Sequence, residues 1–256
     1  FNQLPPDVLV TCGRKSIAFS LAMKRCYQDL ITVHIQNPII SPSRFDIVIA
    51  PAHDGVKGKN VIQTIGSVHN VSRISLSSFF KKRSSFFQHV DSKFVSILIG
   101  GKNAHHPFVD KDIESLLEIT KYLLSQGNYV VLLPSRRTPE NAVEHFVKFA
   151  EGNDFVFCWD RMGENPYMEC LARSSHILVT QDSVSMISEA CSTGKPVMIV
   201  PLYKTRQSKR FNCFYEMLFE KDIARMWSGK IQDWDPFVLN EMDRVVREIR
   251  QLLIKN

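Results

Sequence analysis

Short runs of β-branched and other apolar residues alternate along the chain with longer stretches whose apolar positions recur every three or four residues. The first kind of run predicts strands and the second predicts amphipathic helices. Their alternation is the signature of a parallel α/β architecture. Strands are predicted at residues 8–11, 31–34, 46–50, 94–99, 129–133, 155–157, 176–180 and 196–201. Several are apolar throughout, as expected of strands covered on both faces. Helices are predicted at 16–26, 110–126, 139–150, 166–173, 183–192, 210–219 and 240–255. In the second of these, Ile113, Leu116, Leu117, Ile119, Thr120, Leu123 and Leu124 mark one apolar face.

A chain of 256 residues suffices for one large or two small α/β domains. The segment 75–93, rich in Ser, Phe, Lys and Arg, divides two strand–helix series and is the expected boundary. Its core, Phe79-Phe80-Lys81-Lys82-Arg83, is either a linker whose phenylalanines dock on the domains or a surface that touches a membrane or nucleic acid. The net charge of +6 and pI near 9.0 suit an anionic partner, but equally a mildly basic protein without one. No apolar run approaches the roughly 18–20 residues of a transmembrane helix. Six cysteines form no C-x-x-C pair. Small or apolar neighbours predict Cys12, Cys158 and Cys191 to be buried, reduced thiols. The chain opens at Phe1 with no charged-then-apolar leader and enters a strand-like run at Asp7. A piece of the natural N-terminus is therefore expected to be missing.

In open α/β sheets, ligands bind beyond the carboxyl ends of the strands, so the residues after each strand are the candidates. Gly100 and Gly101 follow one strand, where glycines permit close backbone approach or positive φ. They form either a phosphate-cradling turn or a plain tight turn. Ser135, Arg136, Arg137 and Thr138 follow the next. Thr138 can cap a helix with Pro139 in its first turn, and two arginines at that positive helix end call for an anion. After the strand at 176–180, Asp182 or Ser183 caps a helix. Its first amides, with Ser185 and Met186, could hold a diphosphate, while Glu189 could accept ribose hydroxyls. The alternative there is a capped structural helix with Glu189 in solvent. Trp159, Asn165, Pro166 and Tyr167 form a loop that could stack on a nucleobase, or pack into the core. Nearer the start, Gly13 and Arg14 open a helix in an anion-friendly turn. His53 and Asp54 follow a strand as a candidate general base or as a structural turn. Asp110 with Asp112, and Asp233 with Asp235, read better as a solvated helix start and a polar turn than as metal ligands. No metal site is expected.

Six strings occur in order at sensible spacing: Gly13-Arg14-Lys15-Ser16, Pro51-Ala52-His53-Asp54, Ile99-Gly100-Gly101, Ser135-Arg136-Arg137-Thr138, Asn165-Pro166-Tyr167 and the run from Val179 to Ala190. Together they resemble the family named after the plant mitochondrial-fission protein of the elongated-mitochondria type, whose bacterial members carry glycosyltransferase descriptions. The resemblance spans roughly residues 7–205, and the stretch Glu189 to Pro196 also resembles the donor half of GT-B glycosyltransferases.

The resemblance implies a GT-B-like fold of two Rossmann-type parallel-sheet domains facing a cleft, the first one truncated. It implies a partial acceptor-side domain over 1–90, a nucleotide-sugar-binding domain over 91–230 and a C-terminal helix over 231–256 returning to the first domain. The activity implied is metal-independent sugar transfer from a nucleotide-sugar donor, with no further cofactor and no nucleic-acid partner. Asp54 or His53 would be the base. The acceptor would be a glycolipid or lie at a membrane surface, placing the protein in the cytoplasm, peripheral to the inner membrane face. The competing expectations are a non-catalytic scaffold that keeps the nucleotide fold, and an epimerase or other nucleotide-sugar enzyme.

Overall fold

The computed structural model describes residues 6–81, 87, 93–204 and 208–254. The chain divides into two compact units: Phe1–His69 with Asn240–Asn256, and Asn70–Leu239.

The first unit is built on a four-stranded parallel sheet in the order β1 (Val8–Cys12), β2 (Ile31–Ile35), β3 (Ile47–Pro51) and β4 (Val61–Thr64). Helix α1 (Ile17–Cys26) supplies Ile17 and Leu21 to a cluster with Phe45, Val48 and Ala50. A separate cluster joins Val33, Ile47, Ile49 and Ile62 of this sheet to Val245, Ile249 and Leu252. Those last three belong to the final helix of the chain, Glu241–Ile254, which therefore covers the first unit's sheet. Glu241 accepts the Ile65 amide at 3.2 Å, which pins the start of that helix beside β4. Cys12 differs from expectation. Side chains alternate between the two faces of a strand, and along the edge strand β1 the face carrying Val8, Val10 and Cys12 is uncovered, so Cys12 is exposed.

The second unit begins with α2 (Arg73–Lys81), within the stretch expected to be a linker. Leu76 is buried there, and the helix packs against α5 (Tyr167–Arg173). The unit boundary thus falls ahead of residues 75–93, which a linker reading would not place inside a packed unit. Residues 82–86 and 88–92 lie outside the described residues.

From β5 (Phe94–Ile99) the chain alternates strand and helix through α3 (Asp110–Ser125), β6 (Tyr129–Pro134), α4 (Glu140–Glu151), β7 (Val156–Cys158), α5, β8 (His176–Thr180), α6 (Val184–Cys191), β9 (Val197–Val200), α7 (Lys209–Glu220) and β10 (Arg225–Met226). The closing helix Glu241–Ile254 is α8. All six strands are parallel, in the order β10-β9-β8-β5-β6-β7. Renumbered from β5, that order is 3-2-1-4-5-6, the dinucleotide-fold arrangement, and it reverses between β5 and β8. Every residue of β5 is buried, so the centre of this sheet is covered on both faces. Among the described residues no helix is long and apolar enough to cross a membrane.

Candidate functional site

The reversal point of a doubly wound sheet leaves a crevice, because the connections from its two central strands leave toward opposite faces. Here those strands are β5 and β8, and the residues that follow them meet. Gly101 donates its amide to Asp182 Oδ2 at 2.9 Å, and Thr180 Oγ1 donates to Asp182 Oδ1 at 2.7 Å. Gly100 donates to Thr180 Oγ1 at 2.7 Å. The Asp182 side chain is fully enclosed, and Arg137 reaches it from the loop after β6 at 2.9 Å. Arg137 also donates to the carbonyls of Gly101 and Lys102 at 3.2 and 3.3 Å.

The two glycines are required by close approach rather than by dihedral angle, since neither has positive φ. A Cβ on Gly100 would lie 2.1 Å from both Asp182 carboxylate oxygens, and one on Gly101 would lie 2.0 Å from the Arg137 carbonyl oxygen. The backbone they admit is the protein's own. Asp182 and Arg137, expected to face a ligand, instead brace the loops after β5, β6 and β8. The reason is electrostatic: a carboxylate without water must be answered by donors and an opposite charge, and here it has all three.

Thr138 also departs from expectation. The cap residue of α4 is Pro139, not Thr138. The Thr138 hydroxyl turns back to donate to the Ile99 carbonyl at 3.1 Å and to that of Gly100, and it accepts the Ser135 amide at 2.9 Å. Arg161, with φ of 70°, closes over the start of α4, bonding the Thr138 carbonyl at 3.2 Å and pairing with Glu140. It supplies a charge that sequence reading had not assigned there. Arg136 remains exposed beside these groups, with no ion pair among the described residues.

At α6 the cap is Ser183, whose Oγ accepts the Met186 amide at 3.4 Å, which removes Asp182 as the alternative. The first intrahelical bond runs from Ile187 to the Ser183 carbonyl at 3.0 Å, so the Val184 and Ser185 amides have no acceptor within the helix. Ser185 is exposed and Met186 half-buried. Further along the same helix Glu189 is half-buried and accepts the Tyr167 hydroxyl. Burial and the Glu189 carboxylate push the Tyr167 phenol well above its ordinary range, so it stays a donor. Asn165 accepts the Tyr167 amide at 3.0 Å, and buried Pro166 caps α5. The loop between β7 and α5 is largely self-bonded, with the Trp159 indole donating to the Met162 carbonyl at 2.9 Å.

Asp112, expected at a solvated helix start, is buried. It accepts the Val109 amide at 2.8 Å, capping α3, and the Tyr203 amide at 2.7 Å. Asp233 accepts from or pairs with His176 at 2.8 Å. Among the described residues no group of His, Cys, Asp and Glu could hold a metal ion.

Gly13, Arg14, His53 and Asp54 lie in the first unit. Gly13, at φ of 77°, turns the chain from β1 into a short 3-10 turn, Arg14–Ser16. There the Ser16 hydroxyl donates to the Cys12 and Gly13 carbonyls at 3.0 and 2.9 Å, and Arg14 is exposed. His53 and Asp54 form the 3-10 turn directly after β3, with Nε2 and Oδ1 3.7 Å apart, wider than a hydrogen bond.

The sheet order and its reversal point define a doubly wound, dinucleotide-type α/β domain, and the comparison with solved structures makes the fold GT-B-like. Solved structures agree on the fold. A UDP-GlcNAc 2-epimerase from Methanocaldococcus jannaschii superposes with a TM-score of 0.59 at 13% identity, over 96% of this chain and 77% of that one. The S. aureus MnaA–UDP co-structure gives 0.56 at 15% identity, over 96% and 68%. The family model described as mitochondrial fission ELM1 matches residues 1–253, and the chain belongs to that family. It is 26% identical to the uncharacterized protein RP120 of Rickettsia prowazekii (strain Madrid E), over 97% of this chain and 80% of that protein. It is also 26% identical to mitochondrial fission protein ELM1 of Arabidopsis thaliana, over 97% of this chain and 64% of that protein. The chain thus spans just under two thirds of the plant relative.

Proposed function

We propose that the second unit binds a nucleotide-sugar and that the protein is a metal-independent glycosyltransferase. The observation that carries this reading is the start of α6 at the sheet's reversal point. There, two unsatisfied amides, the Ser183 cap and a tethered carboxylate line one helix. The Val184 and Ser185 amides would take the diphosphate, supported by the α6 dipole and by Arg136. Glu189, held by Tyr167 through one oxygen, keeps the other for ribose hydroxyls. The segment Asn165–Pro166–Tyr167 would lie toward the base. Arg137, Asp182, Gly100, Gly101 and Thr138 act at one remove, by fixing the three loops. Neutralising the diphosphate as it leaves is the electrostatic work that transfer requires, and amides with arginine can supply it. In the first unit Asp54 or His53 would take the proton of the acceptor hydroxyl. A glycolipid acceptor at the inner face of a membrane fits the basic composition.

A second reading, nucleotide-sugar epimerisation, draws on the solved UDP-GlcNAc 2-epimerases that share the fold at 13–15% identity. The test is the fate of the donor. Transfer or slow hydrolysis releases free nucleotide, whereas an epimerase changes the sugar configuration and leaves the nucleotide attached. A scaffold does neither. Nucleotide release that falls in Asp54→Asn while nucleotide affinity holds supports the proposal. Sugar inversion without release, or no change in the donor, contradicts it.

A further inference from the structure

The stretch 75–93, expected as a linker, is only half accounted for by packing. Leu76 of α2 is buried, and the helix packs on α5. Phe87 is buried as well, stacked on Phe94 at 5.1 Å between centroids and edge-on to Phe157 at 6.3 Å. The other side of α2 faces out. Ile74 is 86% exposed, the highest value among the described large apolar residues, and Phe80 is 58% exposed. Single exposed apolar residues are ordinary on a protein surface. Two on one nine-residue helix are not explained by its packing.

The serines on that side are already satisfied within the helix. Ile74, Ser77 and Ser78 lie three and four positions apart, which puts them on one face. The Ser77 hydroxyl donates to the Ile74 carbonyl at 2.7 Å, and the Ser78 hydroxyl to the Ser75 carbonyl at 3.3 Å. A hydroxyl bonded to its own helix costs little to move out of water. The helix start is closed in the same way, with the Ser72 amide donating to Ser75 Oγ at 2.8 Å and the Ser75 amide to Ser72 Oγ at 3.1 Å.

Charge points to the partner. Helix α2 starts at Arg73 and ends at Lys81, and the sequence holds no acidic residue between Asp54 and Asp91. Apolar side chains between cations, on a helix without acids, match the surface of an anionic membrane. There, rings and aliphatic chains enter the headgroup layer and cations meet phosphate. A nucleic acid fits less well, since single strands are held by stacking and Ile74 offers no ring.

We propose that the outward face of α2 docks on an anionic lipid bilayer, with Ile74 and Phe80 entering the headgroup layer. The inference goes beyond the nucleotide-sugar reading and does not rest on donor binding.

The whole chain is sedimented with vesicles of phosphatidylcholine alone and of phosphatidylcholine mixed with phosphatidylglycerol. Binding is expected to the mixed vesicles and should weaken at high salt. The double variant Ile74→Ser/Phe80→Ser should weaken it about tenfold, through lost apolar burial. Arg73→Gln/Lys81→Gln should weaken it about twentyfold, through two lost cations. Phe237→Ser removes a ring that is 61% exposed elsewhere in the same unit and should change nothing. Phe80→Trp should add emission that shifts to the blue on mixed vesicles and is quenched by brominated lipid, measured against the parent chain. No binding to either vesicle, equal binding to both, or full binding by both double variants overturns the proposal, and so does a Phe80→Trp signal that vesicles leave unchanged. Binding to single-stranded RNA but to no vesicle, lost in Arg73→Gln/Lys81→Gln, makes this a nucleic-acid surface and overturns it too. Urea midpoints equal to the parent's exclude unfolding as the cause. Thermal shifts with nucleotide, read in the same variants, test the donor reading separately: they should match the parent's whether or not vesicles bind.

Discussion

Replacing Asp182 with alanine should cost stability before it costs ligand affinity. The enclosed carboxylate takes the Gly101 amide at 2.9 Å, the Thr180 hydroxyl at 2.7 Å and Arg137 at 2.9 Å. Alanine leaves the buried Gly101 donor unanswered, and each such orphan costs about 1–3 kcal/mol. Thr180 loses its acceptor but keeps its bond from Gly100, a smaller loss. Arg137 is 41% exposed and turns to water, so its ion pair adds little. The sum is about 2–4 kcal/mol. At about 2–4 °C per kcal/mol for a unit of this size, the midpoint should fall by about 5–15 °C. Asparagine keeps an acceptor for Gly101 and should cost about half as much. Trp159, Trp227 and Trp234 all lie in the second unit, so their fluorescence reports its unfolding directly. An Asp182→Ala chain that unfolds within about 2 °C of the wild type but no longer binds nucleotide would refute the bracing role.

The same loop junction predicts that Gly101→Ala lowers the unfolding free energy by about 1–3 kcal/mol or more, read as a lower denaturant midpoint, since its Cβ would sit 2.0 Å from a backbone carbonyl; an unchanged midpoint counts against that packing. Tyr167→Phe removes the hydroxyl that holds Glu189 and should weaken nucleotide binding several-fold in calorimetry, for about 0.5–1.5 kcal/mol of stability; equal affinity would mean Glu189 needs no tether. Burial lowers the pKa values of His34 and His106 below the usual 6.5. The unfolded chain then takes up protons first, so stability is full above that value and declines as pH falls below it. Urea midpoints by circular dichroism should drop between pH 7.5 and 5.5, and a rise would contradict the sign.

The elements with long apolar periodicity were legible in the sequence, and the exceptions have physical reasons. Helix α2, Arg-Ile-Ser-Leu-Ser-Ser-Phe-Phe-Lys, is rich in residues that favour loops, and its helicity is supported by packing on α5. Strand β4 has four residues and β10 two, too short for a period to emerge. The loops at the site were also legible, because each follows a strand and opens a helix. What each residue does there was not. Asp182 and Gly101 are 81 positions apart, and no local pattern shows that one fills the space the other vacates. Arg137 and Arg136 are neighbours in sequence, yet one is committed to a buried carboxylate and the other is not. The exposure of Cys12 is not legible in sequence, because an apolar strand looks the same at an edge and at a centre.

The most direct test of the central claim is thermal unfolding of the chain with UDP, GDP, ADP, CMP and their sugar conjugates, beside Arg136→Ala and Glu189→Ala. A nucleotide at about 100 times its dissociation constant stabilises the fold by about 2.7 kcal/mol. The account predicts such a shift for one base, reduced in both variants. No shift for any nucleotide, or a shift that both variants retain in full, would contradict binding at the α6 crevice.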